Sequence, residues 1–232
     1  MKNLLYIFIF VCVACNTNSK QDNKPVADPP FWNDIQNFKK KDSASFPPKN
    51  AILLVGSSSF TKWTDVQDYF PGYTIINRGF GGSTLLDQIR YANDIIFPYE
   101  PKQIIIYCGE NDLASSDSVT AQMVFDRFKK LYQMIREKTK APVAFISLKP
   151  SPSRRHLFTK MDEANQLILE FINLQKSALD SQPINIEFID VHQKMLNGSG
   201  QPMPEIFLDD SLHMNAKGYA IWKKEMEPYL QK

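Results

Sequence analysis

Four short segments carry the residues whose types and spacing could do chemistry. Gly56-Ser57-Ser58-Ser59 follows an apolar run, and a serine hydroxyl at such a strand-to-helix turn sits where backbone N–H groups point. Asn77-Arg78-Gly79-Phe80-Gly81-Gly82-Ser83-Thr84 is a glycine-bearing loop whose backbone can approach a ligand and donate to it. Gly109-Glu110-Asn111-Asp112 places an amide that donates a hydrogen bond without a proton to lose, which suits an oxyanion. In Asp210-Ser211-Leu212-His213 the carboxylate can fold back onto the imidazole Nδ1, leaving Nε2 to take a proton from a serine. Each segment also has a plainer reading when taken alone: a serine helix cap, a glycine turn, an asparagine turn.

Rival chemistries fit less well. The glycine loop lacks the Gly-Lys-Ser/Thr ending of a nucleotide P-loop and the full dinucleotide spacing. Asp190 and His192 form a second acid–imidazole pair, but at an extended strand end they project to one side and need not touch. His192 and His156 read as polar surface residues or as supports of a site. A metal site from Asp190, His192, Asp209 and His213 has no recognisable ligand spacing, so none is expected. Cys108 ends an apolar run and reads as a packed core thiol.

The elements that must position these loops follow from periodicity. Apolar runs at residues 51–55, 74–77, 103–108 and 143–147 read as buried parallel strands, and residues 184–190 alternate as a strand nearer an edge. Between them lie stripes at helical spacing: Leu85, Ile89, Ala92, Ile96; Val124, Phe128, Leu131, Ile135; and Ala164, Leu167, Ile168, Phe171, Ile172. A last short helix is expected over residues 216–229. Alternating strands and helices predict an α/β fold, a three-layer αβα sandwich around a mostly parallel five-stranded sheet. Ligands of such sheets bind beyond the carboxyl ends of the strands, where the first three segments lie.

In order and context, the four segments resemble the blocks of the SGNH, or GDSL-like, esterases and lipases: Gly-x-Ser, a Gly in a glycine-bearing loop, Gly-x-Asn-Asp and Asp-x-x-His. The resemblance covers about residues 51–229. It implies Ser58 as nucleophile, His213 as general base and Asp210 as the orienting acid. It also implies an oxyanion hole from the Ser58 N–H, Gly82 and Asn111, and an acyl-enzyme mechanism that needs no metal or organic cofactor. Ser57 stands where the family usually has Asp, so the bracing of this loop differs.

A chain of 232 residues accommodates one such domain and not a second enzyme-sized one. The formal charge of +2 gives no footprint for a nucleic-acid partner. The basic run Lys39, Lys40, Lys41 reads as a solvated linker face. At the start, Lys2 and an apolar run over residues 4–14 reach Cys15 after the small Ala14, a pattern that resembles a bacterial lipobox. The expected organisation is therefore a lipoprotein-type signal over residues 1–14, lipidation at Cys15, a polar tether over 15–30 and the hydrolase domain over 31–232. This places the protein on the cell envelope through its anchor, with Cys108 alone left as a free thiol. The segments 113–120 and 149–155 are too short and polar to form a lid, so the expected substrate is a short-acyl ester, an O-acetyl group on carbohydrate. A lysophospholipase or thioesterase acting on longer chains is the alternative, and a silent carbohydrate- or lipid-binding module is the reading from a different class.

Overall fold

Each apolar run becomes a strand: β1 (Ile52–Gly56), β2 (Ile75–Gly79), β3 (Gln103–Tyr107), β4 (Val143–Ile146) and β5 (Ile186–Ile189). They lie in the order β2-β1-β3-β4-β5, and every pairing is parallel. This computed structural model describes residues 27–177 and 185–232. The expected signal, Cys15, the tether up to residue 26 and the expected strand start at 184 lie outside those residues.

Along β1, β3 and β4 every residue is buried, because both faces of the sheet are covered. Leu53, Val55, Ile104, Ile106 and Phe145 face one core, closed by α1 (Trp32–Ala44), α4 (Leu85–Ile95), α6 (Ala121–Lys138) and α7 (Phe158–Ser177). Ile52, Leu54, Ile105, Tyr107 and Ile146 face the other, closed by α2 (Ser58–Thr61), α3 (Val66–Tyr69) and α8 (Ala216–Met226). On the edge strand β5 the alternation read from its sequence does not appear in burial: Ile186 and Ile189 are buried and Glu187 and Phe188 half-buried, with Ile186 and Phe188 packing in one core and Ile189 in the other. β2, expected as an interior strand, is the opposite edge, and its Ile75 and Asn77 are only half-buried.

Local chemistry starts the helices where the sequence changes period. Thr84 and Asp87 close a capping box at α4, with Thr84 N donating to Asp87 Oδ2 at 3.0 Å. Thr120 caps α6 and Asn215 caps α8. Two of the elements that were not expected bear on the site. α5 (Glu110–Ser115) is one short helix where the sequence suggested a turn. α1 contains Lys39, Lys40 and Lys41, which are exposed as expected but belong to a docked helix and not to a linker. α1 buries Ile35 completely and packs Trp32 and Phe38 partly against the same core, a short stripe that stops at the lysine run. It is held as well by Asp42, which pairs with Arg78 and Tyr99, and by Lys39, 2.6 Å from Asp94.

The strand order decides where a site can form. From β1 the chain turns to one side to make β2, then crosses to the other side of β1 to make β3. The loops leaving β1 and β3 therefore part at a topological switch point, where sheets of this kind open a crevice. Among the described residues no helix is long and apolar enough to cross a membrane.

Candidate active site

At the end of β1, Gly56 has φ of 149°, and a Cβ there would lie 1.9 Å from the Tyr107 carbonyl oxygen. Only glycine lets β1 end this close to β3, and Ser57 N then donates to that same carbonyl at 3.1 Å. The turn sorts its three serines: Ser57 is 3% exposed and Ser59 1%, while Ser58 is only half-buried at the start of α2. The Ser58 N–H has no hydrogen-bond partner among the described residues.

The two candidate donors of the other loops are brought together by one bond. Asn111 Nδ2 donates to the Ser83 carbonyl at 3.1 Å, tying the amide to the residue after Gly82 and leaving its second N–H unused. Gly82 turns through a φ of 83°, and its N–H also has no partner among the described residues. Ser83 itself is buried, donating to the Phe80 carbonyl at 2.8 Å and accepting from Gln88 Nε2 at 2.9 Å. Asp112 fastens the same loop to two helices, accepting from Leu85 N at 2.9 Å and from Arg127 Nη1 at 2.8 Å. Burial raises the Asp112 carboxyl despite these donors.

His213 Nδ1 lies 2.6 Å from Asp210 Oδ2, and Asp210 Oδ1 accepts the N–H groups of Leu212 and His213 at 3.0 and 2.9 Å. Partial desolvation pushes the Asp210 carboxyl up, but the His213 ring and these two N–H groups pull it well below the usual carboxylate range. An ionised Asp210 keeps the Nδ1 proton in place, so Nε2 is the basic position of the ring. The loop is closed by Leu208 N donating to the His213 carbonyl at 2.8 Å and by Ser153 N donating to the Ser211 carbonyl at 3.0 Å. α8 joins it to the serine turn after β1: Tyr219 Oη donates to the Ser59 carbonyl at 2.9 Å, and the Tyr219 ring stacks on Trp63 at 4.7 Å. Neither Ser58 Oγ nor His213 Nε2 is hydrogen-bonded among the described residues, a looseness common before substrate binds.

The other sequence candidates go elsewhere. His192 is 4% exposed, which corrects the first of its two readings, a surface residue, and leaves the second open; its Nδ1 donates to the Leu148 carbonyl at 2.8 Å and its Nε2 lies 3.2 Å from Asp162. Asp190 accepts from Ser147 Oγ and from the His192 N–H, so the pair meets through backbone and not through the imidazole. His156 is exposed. Burial pushes the Cys108 thiol well up, in keeping with a core residue. Arg78, in the glycine loop, turns away to α1.

Beneath the loops lies a cluster that the sequence did not disclose. Glu110 Oε2 accepts from Lys149 Nζ at 2.7 Å and from Tyr107 Oη at 2.7 Å, and Oε1 accepts from Ser151 Oγ at 3.1 Å. This one carboxylate joins the loops after β3 and β4, and through Tyr107 it reaches the turn after β1. Glu110 stands inside the recognisable block, but its partner Lys149 is far away in the chain. Asn215 was also missed: its amide donates to the carbonyls of Glu205 and Phe207, holding the ends of the His213 loop together.

A half-buried serine at a strand-to-helix turn of an αβα sandwich, with backbone and amide N–H groups on the adjoining loops and a carboxylate-held imidazole on a loop tied to the same turn, has the components of an α/β serine hydrolase. The chain belongs to the GDSL-like Lipase/Acylhydrolase family, which it matches over residues 53–221, and it is a carboxylic ester hydrolase. A GDSL-like lipase from Bacteroides thetaiotaomicron is similar with a TM-score of 0.68 at 18% identity, covering 84% of this chain and 95% of the other. A Bacteroides fragilis protein provisionally named an acylhydrolase gives a TM-score of 0.72 at 18% identity, covering 85% and 95%. A catalytic mutant of an acetylxylan esterase from Geobacillus stearothermophilus gives 0.60 at 12% identity, covering 79% and 94%. At these identities the likeness is one of fold. No curated protein matches the sequence.

Proposed function

We propose that the protein hydrolyses short-acyl esters, O-acetyl groups on carbohydrate, through an acyl-enzyme on Ser58. The observation that carries this reading is the Asn111–Ser83 bond, which holds two candidate oxyanion donors side by side in the loops that flank the one accessible serine of the turn. Ser58 Oγ attacks the ester carbonyl carbon while His213 Nε2 takes its proton. The oxygen that becomes negative is held by the N–H groups of Ser58 and Gly82 and by the free Asn111 amide N–H. As the carbonyl re-forms, the bond to the alcohol breaks and His213 returns the proton to it. Water, deprotonated by His213, then attacks the acyl-enzyme, and the departing Ser58 oxygen recovers its proton as the acid is released.

The acetyl preference is supported by the short segments around the site. After β4 only a 3₁₀ turn over Pro152–Leu157 precedes α7, and after β3 only α5 and a brief loop precede α6, so neither supplies an apolar lid. The similarity in fold to an acetylxylan esterase agrees with it. One feature favours longer chains: Leu208, bonded through its N–H to His213, is 45% exposed and offers apolar surface beside the base. We also propose export to the cell envelope by lipidation at Cys15, a reading supported by the apolar run that ends there.

Fluorophosphonate labelling of the wild type and of Ser58→Ala tests the nucleophile, and a p-nitrophenyl ester series tests the acyl group. Labelling lost in Ser58→Ala, and kcat/KM falling beyond about four carbons, are the expected results. Labelling that survives the substitution rejects Ser58, and rates rising toward eight carbons reject the short-acyl preference in favour of a lysophospholipase or thioesterase.

A further inference from the structure

The glycine turn has Ser58 on one side and an aromatic ring from far upstream on the other. A Cβ on Gly81 would lie 3.9 Å from the Ser58 Cβ, and one on Gly82 would lie 3.7 Å from Phe31 Cε1 and 3.9 Å from its Cζ. Both glycines are exposed, so a ligand can reach the space above them, and the half-buried Phe31 stands beside that space. Phe31 is the residue before α1 and holds a left-handed φ of 64°, a conformation that is costly for an aromatic residue. Several contacts impose it. Its ring packs edge-on against Phe80 at 5.3 Å, Tyr91 Oη donates to the Pro30 carbonyl at 2.6 Å, and Trp32 N donates to the Pro29 carbonyl at 3.1 Å. The family match begins at residue 53, so this ring reaches the site from a segment outside it.

We propose that Phe31 is a specificity-determining residue of the acyl site, walling the space beside the Gly82 donor and restricting the acyl group to a short chain. The inference rests on the esterase reading above. The acyl chain is bonded to the carbonyl whose oxygen the donors hold, so it must run past those donors. With the ring on one flank and Ser58 on the other, a methyl group meets an apolar wall, whereas added methylenes meet the ring in a held conformation. Leu208 lies on the His213 loop and leaves this restriction in place.

The test compares the full chain with Phe31→Ala, Phe31→Leu and Phe31→Trp, each titrated with fluorophosphonate so that rates refer to active sites. The readout is kcat/KM for p-nitrophenyl hexanoate relative to acetate. Each methylene newly accommodated is worth about fourfold, so Phe31→Ala should raise the ratio about tenfold or more, with Phe31→Leu between it and the wild type. Phe31→Trp should lower the ratio, which keeps the test decisive if the alanine variant does not fold. An unchanged ratio in the variants overturns the inference. So does a change that follows the alcohol, seen with phenyl and naphthyl acetates, in place of the acyl chain. A wild type that hydrolyses no ester at all sinks the catalytic reading and this inference with it; normal hydrolysis with an unaltered ratio sinks this one alone.

Discussion

Lys149 Nζ lies 2.7 Å from Glu110 Oε2, with the Lys149 residue 1% exposed and Glu110 4%, directly under the loops that carry the site. Burial alone would push the Glu110 carboxyl up, but the Lys149 charge and hydrogen bond, with Tyr107 and Ser151, bring it below its ordinary value. A carboxyl lowered by folding adds stability above its unfolded pKa of about 4.3, and that stability is lost as pH falls through the folded value.

Glu110→Gln should therefore cost about 3–5 kcal/mol at neutral pH, because it leaves the Lys149 ammonium buried without a counter-charge. Its melting temperature should also fall less steeply than that of the wild type as pH drops below about 4. Adding Lys149→Met should recover much of the loss. Thermal melts of the three proteins across pH check this; parallel acid profiles would mean that the pair does not couple to folding.

Between the two loop imidazoles, activity and stability should separate. His213→Ala should reduce kcat by about 10⁴–10⁶-fold with the melting temperature nearly unchanged, since the ring is held by a surface carboxylate. His192→Ala should retain most turnover but lose about 1–3 kcal/mol of stability, because the buried Leu148 carbonyl loses the closer of its two donors, keeping only Asn165 Nδ2 at 3.2 Å, and the buried ring leaves a gap. Steady-state kinetics beside melting curves decide it, and the reverse pattern would move the base to His192.

Asn111→Ala should lower kcat by about 10²–10³-fold, or roughly 2.7–4 kcal/mol, with little change in KM. The donor matters chiefly once charge has formed on the oxygen. Because its other N–H holds the Ser83 carbonyl, Asn111→Asp should fare no better: the carboxylate faces that carbonyl and repels the oxyanion. A raised KM with normal kcat would instead make Asn111 a ground-state binding residue.

Cys15→Ser should move the protein from the membrane to the soluble fraction without changing turnover per active site, since the domain begins well after it. Fractionation with mass spectrometry of the intact chain checks this. A wild type found without lipid would reject the anchor.

The sequence by itself determined the elements and the residues offered at their ends. Strands and helices print short periods on the chain, and Gly56, Ser58, Gly82, Asn111, Asp210 and His213 stand within or just beyond them. The five strands and four of the helices were legible for that reason. α1 was not, because its stripe of Trp32, Ile35 and Phe38 is short and runs into three lysines, and the partners of Asp42 that help dock it, Arg78 and Tyr99, lie far along the chain. Tertiary structure alone decided the order β2-β1-β3-β4-β5, which sets the Ser58 and Asn111 loops on neighbouring strands. It also decided which of three adjacent serines faces the cleft, that one buried carboxylate joins Lys149 to Tyr107, and that Phe31 stands over Gly82. Periodicity is a property of neighbours in the chain, whereas pairing across the sheet and burial beneath the loops depend on which distant surfaces exclude water together.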